Sequence, residues 1–501
     1  MVQTREADFS GATVLTLFPQ NDNTVPLTFT AYSATVKAGF DDVAVDWDDG
    51  TVEHLVPAPN TRAVTLTHTY VNRSARTVRI QNRLDTLKFS NASVSGTALY
   101  TIGISATHTA ARALTGVTTL GSNITNRSLS PGMFAHTSLA TYPSAYSAPA
   151  LSSTNANAKC VPFGCFYDCK KLANLDGIPA GLLAIDSYAF AHCSALTSVS
   201  GLSGSPGLHH IGFMAFGKCT SLTALTGIAV TMDPTPSNLF GGDLGAYELK
   251  EEMYPGGSDE NKTYRMNIFM FPIASFAFYG CSSLTDLAGL ALAPSKHVPP
   301  GAFQGCMSLS DVPASIKNAY YASAELRSNK SSEGHANEVS YTLYPLKALA
   351  LAHPNGYYWP CGIYFSGDSI LGPVYVDGAF SATRVTEFIG LNSTRRSKAD
   401  GDTTPTKYRS IFGYREFANC PNVTTMTFVS PVDYLNFTAN TFSNCPNLKD
   451  VRFPNFTKSQ VQNDIWGVTS VDFVGYNAST YPFGLTRGCV ITCSDGTLTV
   501  T

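Results

Sequence analysis

Seven copies of one spacing constrain the fold of this chain more than any other feature of its sequence. Each copy reads Phe-x-x-Cys-x-x-(Leu or Val)-x-x-apolar, and in most copies a further apolar residue stands five positions before the Phe. Four of the six intervals between successive phenylalanines are 24 to 26 residues long. A fixed period of this length is typical of solenoids, whose units are too small to bury their apolar side alone and therefore stack. The phenylalanines are Phe166, Phe190, Phe216, Phe278, Phe303, Phe417 and Phe442.

The cysteines of these copies are expected to form a column of buried thiols. Stacking brings them into line through the core, where a free cysteine behaves as a small apolar side chain. Disulfide bonds down the column are the alternative, because paired strands of adjacent units lie only ~4.7–4.9 Å apart. The column consists of Cys169, Cys193, Cys219, Cys281, Cys306, Cys420 and Cys445. The sequence leaves open the redox state of the other five, which are Cys160, Cys165, Cys361, Cys489 and Cys493.

The region before the repeats has a different texture. Between residues 25 and 84, apolar and polar residues alternate in short runs separated by turn residues, which predicts antiparallel strands and a β-sandwich. The pieces V-D-W-D-D-G (45–50), H-T-Y (68–70) and T-V-R-I (77–80) resemble the PKD-like immunoglobulin-type domain. In that family the acidic turn and the His-x-Tyr are structural marks of the sandwich.

The fold class predicted is mainly β, with short helical or irregular connections: a β-sandwich, then a leucine-rich-repeat solenoid with insertions, then a β-hairpin cap. The hairpin is predicted from two alternating runs around Ser-Asp-Gly at 494–496. The expected division is an arm or strand at 1–24, the PKD-like sandwich at 25–84, degenerate repeats at 85–157, the solenoid at 158–456 with insertions at 229–272 and 314–375, and the cap at 457–501.

The repeat itself is similar to the BspA-like (Treponema-type) leucine-rich repeat. The phrases IDSYAFAHCSALTSV, IASFAFYGCSSLTDL and ANTFSNCPNLKDV carry the resemblance, which extends over about residues 160–454. It implies a curved solenoid with a short strand at each Leu-x-x-apolar segment, and a surface protein that binds proteins or host surfaces without catalysis. The residues between those apolar positions would then point outward, and the candidates for partner binding among them are Thr197, Thr223, Asp286, Asp311, Thr425 and Lys449.

A tyrosine-rich stretch inside the second insertion supplies further candidates. Tyr and Trp are favoured at recognition hot spots because they bring large, stiff, amphipathic area. The alternative is that these rings only pack the insertion back onto the solenoid. The candidates are Tyr320, Tyr321, Tyr357, Tyr358 and Trp359.

Two stretches resemble ligand-binding motifs, but neither matches the full pattern of its motif. GFMAFGKCT (212–220) is one residue away from the phosphate-binding pattern G-x-x-x-x-G-K-[ST], with Cys219 in place of the hydroxyl that binds Mg²⁺. The same residues are the middle of one repeat, and Gly217 and Lys218 fill the two variable positions between Phe and Cys. The acidic turn Asp46, Asp48 and Asp49 does not fit a calcium loop. We therefore expect no catalytic residues, no metal site and no cofactor.

Charge and hydropathy limit the partners. A net charge of −3 with 14% charged residues gives no basic surface for nucleic acid, and no apolar run is long enough for a membrane helix. The N-terminal residues show no secretory leader pattern. The prediction is an extracellular recognition or adhesion protein, first of all a phage virion appendage that binds a host surface or other virion proteins. A bacterial cell-surface adhesin is the second interpretation and a purely structural spacer the third. The oligomeric state is not predicted.

Overall fold

The computed structural model of the chain describes most of the repeats and much of the N-terminal region. The described residues are 7–19, 26–32, 42–56, 63–84, 86–88, 109–125, 127–129, 132–148, 150–152, 155–162, 164–186, 188–208, 210–212, 214–228, 247–249, 264–266, 273, 276–288, 290, 297–298, 301–313, 320–321, 380–388, 409–412, 417–429, 434–437, 441–461 and 484–500. Tyr357, Tyr358, Trp359 and Cys361 lie outside these residues.

Strands dominate the described part of the chain. The N-terminal strands are β1 Thr13–Leu17, β2 Pro26–Tyr32, β3 Val43–Asp46, β4 Val52–Leu55, β5 Ala63–Thr69, β6 Arg76–Ile80, β7 Thr86–Lys88 and β8 Leu114–Thr119. The strands of the repeats are β9 Ala150–Ser152, β10 Asn155–Val161, β11 Leu182–Ile185, β12 His210–Ile211, β13 Tyr247–Leu249, β14 Tyr264–Met266, β15 His297–Val298, β16 Tyr320–Tyr321, β17 Glu387–Phe388, β18 Arg409–Phe412, β19 Thr425–Phe428, β20 Tyr434–Phe437, β21 Asp450–Phe453, β22 Val490–Cys493 and β23 Gly496–Thr499. The helical segments are α1 Thr109–Arg112, the 3₁₀ turn Ser200–Gly204 and α2 Lys458–Gln460.

The N-terminal strands form two antiparallel sheets. One has the order β4-β3-β6-β1-β8 and the other has the order β5-β2-β7. Alternation explains the first sheet: Leu15 and Leu17 of β1 are buried together with Val78 and Ile80 of β6, while the residues between them are less buried. The first sheet extends beyond the range 25–84 expected for this region. Strand β1 pairs with β6 on one side and with β8 on the other, and both β1 and β8 lie outside that range.

Contacts around Trp47 join the two sheets. Trp47 follows β3 and is fully buried, with its ring stacked on that of His68 from β5 at 4.5 Å between centroids. The Tyr70 hydroxyl donates to the carbonyl oxygen of Trp47 over 3.0 Å. The acidic turn and the His-x-Tyr segment singled out in the sequence are therefore brought together.

The repeats stack through a continuous ladder of phenylalanine rings. Neighbouring rings lie 5.3 to 6.4 Å apart between centroids and are tilted by 1° to 24°. The ladder includes Phe134 and Phe380, which belong to copies that lack the cysteine. It also passes directly from Phe216 to Phe278 and from Phe303 to Phe380. The long segments between those residues therefore do not interrupt the stack.

Two positions of the repeat unit are extended in the described residues, although not in every unit. The apolar residue five before the Phe lies in parallel strands, which pair as β10-β11-β12, β15-β16 and β18-β20. The Leu-x-x-apolar segment contributes single parallel bridges at Ser198, Ala224 and Asp286, and full strands only in the sheet β17-β19-β21-β22-β23. The family resemblance implied one strand per unit, at the Leu-x-x-apolar segment. The structure adds a second extended segment, around the apolar residue five before the Phe.

The two ends of the stack are covered in different ways. At the first unit, the Ser138 amide donates to the carbonyl oxygen of Leu114 in β8, and the Tyr146 hydroxyl donates to that of Leu87 in β7. At the last unit, β22 pairs in parallel with β21, and β23 then folds back on β22 as an antiparallel hairpin. The predicted C-terminal hairpin is confirmed.

Candidate functional site

The cysteine column is a chain of hydrogen bonds between units. In each of the seven copies the thiol donates to the carbonyl oxygen of the Phe in the preceding unit, over 3.0 to 3.7 Å. The cysteines of the described residues are free and buried. Thr137 and Thr383 occupy the cysteine position in the remaining two units, and each hydroxyl donates to the Phe carbonyl of its own unit. The position therefore requires a small buried donor.

Burial makes most of these thiols poor nucleophiles. It raises the pKa of Cys193, Cys219 and Cys306 well above the usual value. The reactive form of cysteine is the thiolate, so a thiol held neutral in the core is chemically inert. In the last pair the mutual hydrogen bond raises the pKa of Cys420 and lowers that of Cys445.

The residue just before each cysteine position has a left-handed backbone. Its φ lies between 56° and 77° in all nine units from His136 to Asn444. Non-glycine residues adopt this region infrequently, and Asn, Asp and His adopt it more readily than most. The residues are His136, Asp168, His192, Lys218, Gly280, Gly305, Ala382, Asn419 and Asn444.

This geometry explains the GFMAFGKCT stretch. The Lys218 amide donates to the carbonyl oxygen of Tyr279 in the next unit over 2.6 Å, and the Gly217 amide donates to that of Met214. A phosphate cradle needs free amides that converge on the anion. Here the Lys218 amide bonds the next unit and the Gly217 amide closes a turn within its own unit, so the segment serves as a scaffold.

The expected outward-facing strip exists, and its threonines form a ladder of their own. Thr197, Thr223 and Thr285 are exposed at the Leu-x-x-apolar segments of successive units. Each hydroxyl donates to a carbonyl oxygen of the preceding unit, over 3.1 to 3.4 Å. A partner would therefore meet threonine methyl groups and oxygen lone pairs, because these hydroxyl hydrogens already have acceptors.

The other predicted binding residues are more scattered. Asp286, Asp311 and Lys449 are exposed on the same segments, whereas Thr425 is half-buried in β19. Tyr320 and Tyr321 form β16, in register with His297 and Val298 of β15. These two tyrosines therefore continue the stacked strands of the repeats, and the segment from 314 is not an insertion throughout.

A buried carboxylate that the sequence did not indicate lies at the left-handed corner of the first units. Asp168 is 1% exposed, and Arg112 Nη2 and His136 Nδ1 approach its Oδ2 at 2.8 and 3.0 Å. Lys170 Nζ lies 3.2 Å from Oδ1. Burial by itself raises the pKa of Asp168, but the hydrogen bond with His136 and the charges of Lys170 and Arg112 outweigh it and hold the pKa below the usual value. The cluster ties α1 of the N-terminal region to the second repeat unit.

The same corner continues into the next units with aromatic and basic side chains. The Tyr167 ring meets the rings of His136 and His192 edge-on at 5.4 and 5.5 Å. Lys218 Nζ lies 4.5 Å from the centroid of the Tyr279 ring. Burial lowers the pKa of His192, and the charges of Lys218 and Lys170 act in the same direction against Asp168. The only sequence signal for this corner is the row of polar residues before the cysteines.

The described residues contain neither a metal-binding cluster nor a membrane-spanning helix. No group of three or more His, Cys, Asp or Glu side chains among them is arranged to hold a metal ion. In the same residues no helix has the length and apolar character needed to span a bilayer.

Comparison with known proteins shows that two stretches of the chain are similar to one repeat family. The geometry is that of a β-rich repeat protein, and residues 146–241 and 402–474 match the family described as BspA type Leucine rich repeat region, in six copies. A leucine-rich repeat protein of known structure from Bacteroides ovatus is 18% identical, over 68% of this chain and 67% of its own length, with a TM-score of 0.28. No curated protein matches. Neither match identifies the N-terminal sheets with the PKD-like family.

Proposed function

We propose that this chain is a non-enzymatic recognition protein whose repeats form a solenoid that displays binding surfaces. The observation that carries the proposal is the stack itself. Cysteine thiols and corner amides bond successive units along the stack, and threonine hydroxyls add bonds in three of them. The titratable groups at the corner are held in place by neighbours. Such a scaffold holds exposed side chains at fixed spacing, which reduces the ordering cost of binding.

The N-terminal sheets serve in this proposal as a PKD-like sandwich that also caps the first repeat unit. Its support is the packing of Trp47 between the sheets and the hydrogen bonds that reach Leu87 and Leu114. Solenoids need atypical ends because the last open unit would otherwise expose its apolar side.

We place the protein outside the cell, on a bacterial surface, with a protein or cell-surface partner. The support is the family match, since BspA-type repeats are generally found in surface and adhesion proteins. No observation in the fold favours the virion appendage predicted from the sequence, and it stays a prediction. A purely structural spacer is the remaining alternative.

The test combines location with binding. Immunogold electron microscopy and fractionation of the native source locate the protein, and labelled full-length protein is then titrated on intact cells. Saturable binding by a cell-surface protein supports recognition, whereas binding that never saturates supports a spacer. A deletion of 325–375 removes the aromatic candidates Tyr357, Tyr358 and Trp359 but keeps β16, so unchanged cell binding would exclude those three as the recognition element. A deletion of 250–262, in the other insertion, is the control. A hydrolase or nucleotidase activity abolished by one substitution would overturn the non-enzymatic proposal.

A further inference from the structure

We propose that the corner cluster, defined as Tyr167, Lys170, His192, Lys218 and Tyr279, binds an acidic polysaccharide. The inference rests on the proposed recognition function and names a partner class for one surface. These residues stand at or beside the left-handed position of consecutive units. None of them was a candidate from the sequence.

Charge is the first argument. The acidic member of the corner, Asp168, is buried and already contacted by Arg112, His136 and Lys170. One carboxylate thus faces two permanent cations and a histidine, and Lys218 adds a third cation in a later unit. Lys170 is 40% exposed, and Lys218 and His192 are half-buried. The chain as a whole carries a net charge of −3, so this corner stands out as cationic.

The aromatic rings are the second argument. Tyr167 and Tyr279 are half-buried, and each lies against a basic or imidazole side chain. Lys218 crosses the next unit at Gly280, where an added Cβ would come within 2.8 Å of Lys218 Cδ. Glycine at this position leaves room for the lysine to lie beside the Tyr279 ring. Two half-buried tyrosine rings therefore stand next to positive charges on this surface, an arrangement that suits a sugar ring bearing a carboxylate or sulfate.

The backbone separates a polysaccharide from an acidic peptide. The amides of His136, Asp168, His192 and Lys218 all donate to carbonyl groups of the next unit. An extended peptide gains much of its affinity from main-chain hydrogen bonds, and this corner has no such amides to give. A polysaccharide needs only side-chain partners, and its charges recur along the chain as the corner residues do. The units recur every 5.3 to 5.6 Å here, measured between ring centroids.

The test is calorimetric titration of the full-length protein with five named probes. Polygalacturonate and dextran sulfate carry carboxylates and sulfates, respectively, and neutral dextran is the uncharged control. Poly-L-glutamate and single-stranded DNA represent the other polyanions. We expect binding of one or both acidic polysaccharides that weakens with salt, and binding of dextran, poly-L-glutamate and DNA at least tenfold weaker.

Variants locate the site. Lys170→Gln and Lys218→Gln are each expected to weaken polysaccharide binding about fivefold, as for the loss of one partly exposed charge pair. Tyr279→Leu is expected to weaken it without changing its salt dependence. Arg487→Gln removes an exposed cation from the C-terminal end of the stack and should leave polysaccharide binding unchanged. Hydrogen exchange of the units from Phe166 to Phe303 checks that each variant keeps the stack.

The outcomes separate this inference from the proposed function. Equal binding of poly-L-glutamate or DNA, or no binding of any probe, overturns the polysaccharide site. If the lysine variants bind intact cells as well as the original protein does, recognition stands and the corner is not its site. If no variant or probe binds and cells are not bound either, the proposed function fails first.

Discussion

The N-terminal sheets and the repeat stack are held together by different chemistry, although both are mainly β. In the N-terminal region, side chains of different types form a cluster that is not repeated along the chain. In that cluster His68 lies between Asp49 and Glu53 and against Trp47. In the repeats, thiol and amide donors bond carbonyl acceptors of neighbouring units again and again, and threonine hydroxyls do so in three successive units. The stability of the N-terminal cluster therefore depends on the protonation of its carboxylates, whereas the bonds to carbonyl groups in the repeats do not titrate.

The boundary between them combines both kinds. Asp168 belongs to a repeat unit by position, yet it is bound by Arg112 from the N-terminal region. We therefore expect the stability of the N-terminal sheets to depend on pH more than that of the repeats. The repeat units next to Asp168 should show an intermediate dependence. Hydrogen exchange resolves the two regions separately, because local opening reports the stability of each cooperative unit.

The largest effect is expected from breaking the phenylalanine ladder. Phe216 is fully buried and stacked between Phe190 and Phe278. Phe216→Ala removes both contacts and leaves a cavity, so we expect the free energy of unfolding of the repeats to fall by about 3–5 kcal/mol. Denaturant unfolding followed by hydrogen exchange measures it, with the N-terminal sheets less affected.

Phe276→Ala is the control for the ladder. Phe276 lies in the same unit as Phe278, but it is half-buried and packs against Tyr279 outside the ladder. Its loss should cost clearly less than that of Phe216. Equal costs for the two variants would mean that ring stacking is not the main support of the repeats.

A smaller effect is expected from the thiol column. Cys219→Ala removes one of the two donors to the Phe190 carbonyl, leaving the Cys193 amide, and opens a small void, so we expect a loss of about 1–2 kcal/mol. Cys493→Ala, in the terminal hairpin, is the control and should cost less because Cys493 is 7% exposed at the end of the stack. If the native protein reacts with a thiol reagent at Cys219 as fast as the unfolded protein does, the column is not buried as described.

The period of the sequence predicted which residues stack in the core, but not which segments form strands or which charged side chains meet. Spacing alone placed Phe216 and Cys219 in the core, because a residue recurring in every unit must meet its own copies. It did not show which apolar segment would be extended, since the positions of Ile211 and Leu222 are both apolar and both able to pair. Nor could it assemble Arg112, His136 and Asp168, which come from separate turns. The polar residues before the cysteines did carry a signal for a left-handed backbone.

The pH dependence of the N-terminal sheets is the next comparison. The pKa of Asp49 is lowered: burial raises it, but the hydrogen bonds with His68 and Thr51 outweigh that. A lowered pKa means that the ionised Asp49 stabilises the fold above the unfolded value near 3.9 and that this contribution is lost as the pH falls through the folded value. We expect Asp49→Asn to cost about 1 kcal/mol at neutral pH and to flatten this acid loss.

Trp47 provides the readout for that experiment, because its ring stacks on His68. Fluorescence is followed against pH for the original protein and for Asp49→Asn. Asp176→Asn, at an exposed turn of the repeats, is the control and should leave the acid transition in place. An acid transition that is the same with and without Asp49 would contradict the comparison between the two regions.

The smallest effect concerns the left-handed corner and has an unusual sign. Ala382 has a φ of 56°, where a side chain is strained and glycine is not. Ala382→Gly should therefore stabilise the repeats by about 0.5–1 kcal/mol, although the unfolded chain gains freedom. Ala418→Gly, in the next unit, is the control: Ala418 is buried and does not have a positive φ, so glycine there should destabilise. If both substitutions destabilise equally, the strain at the corner does not limit the stability of the stack, and the recurrence of Asn and Gly at this position must have another cause.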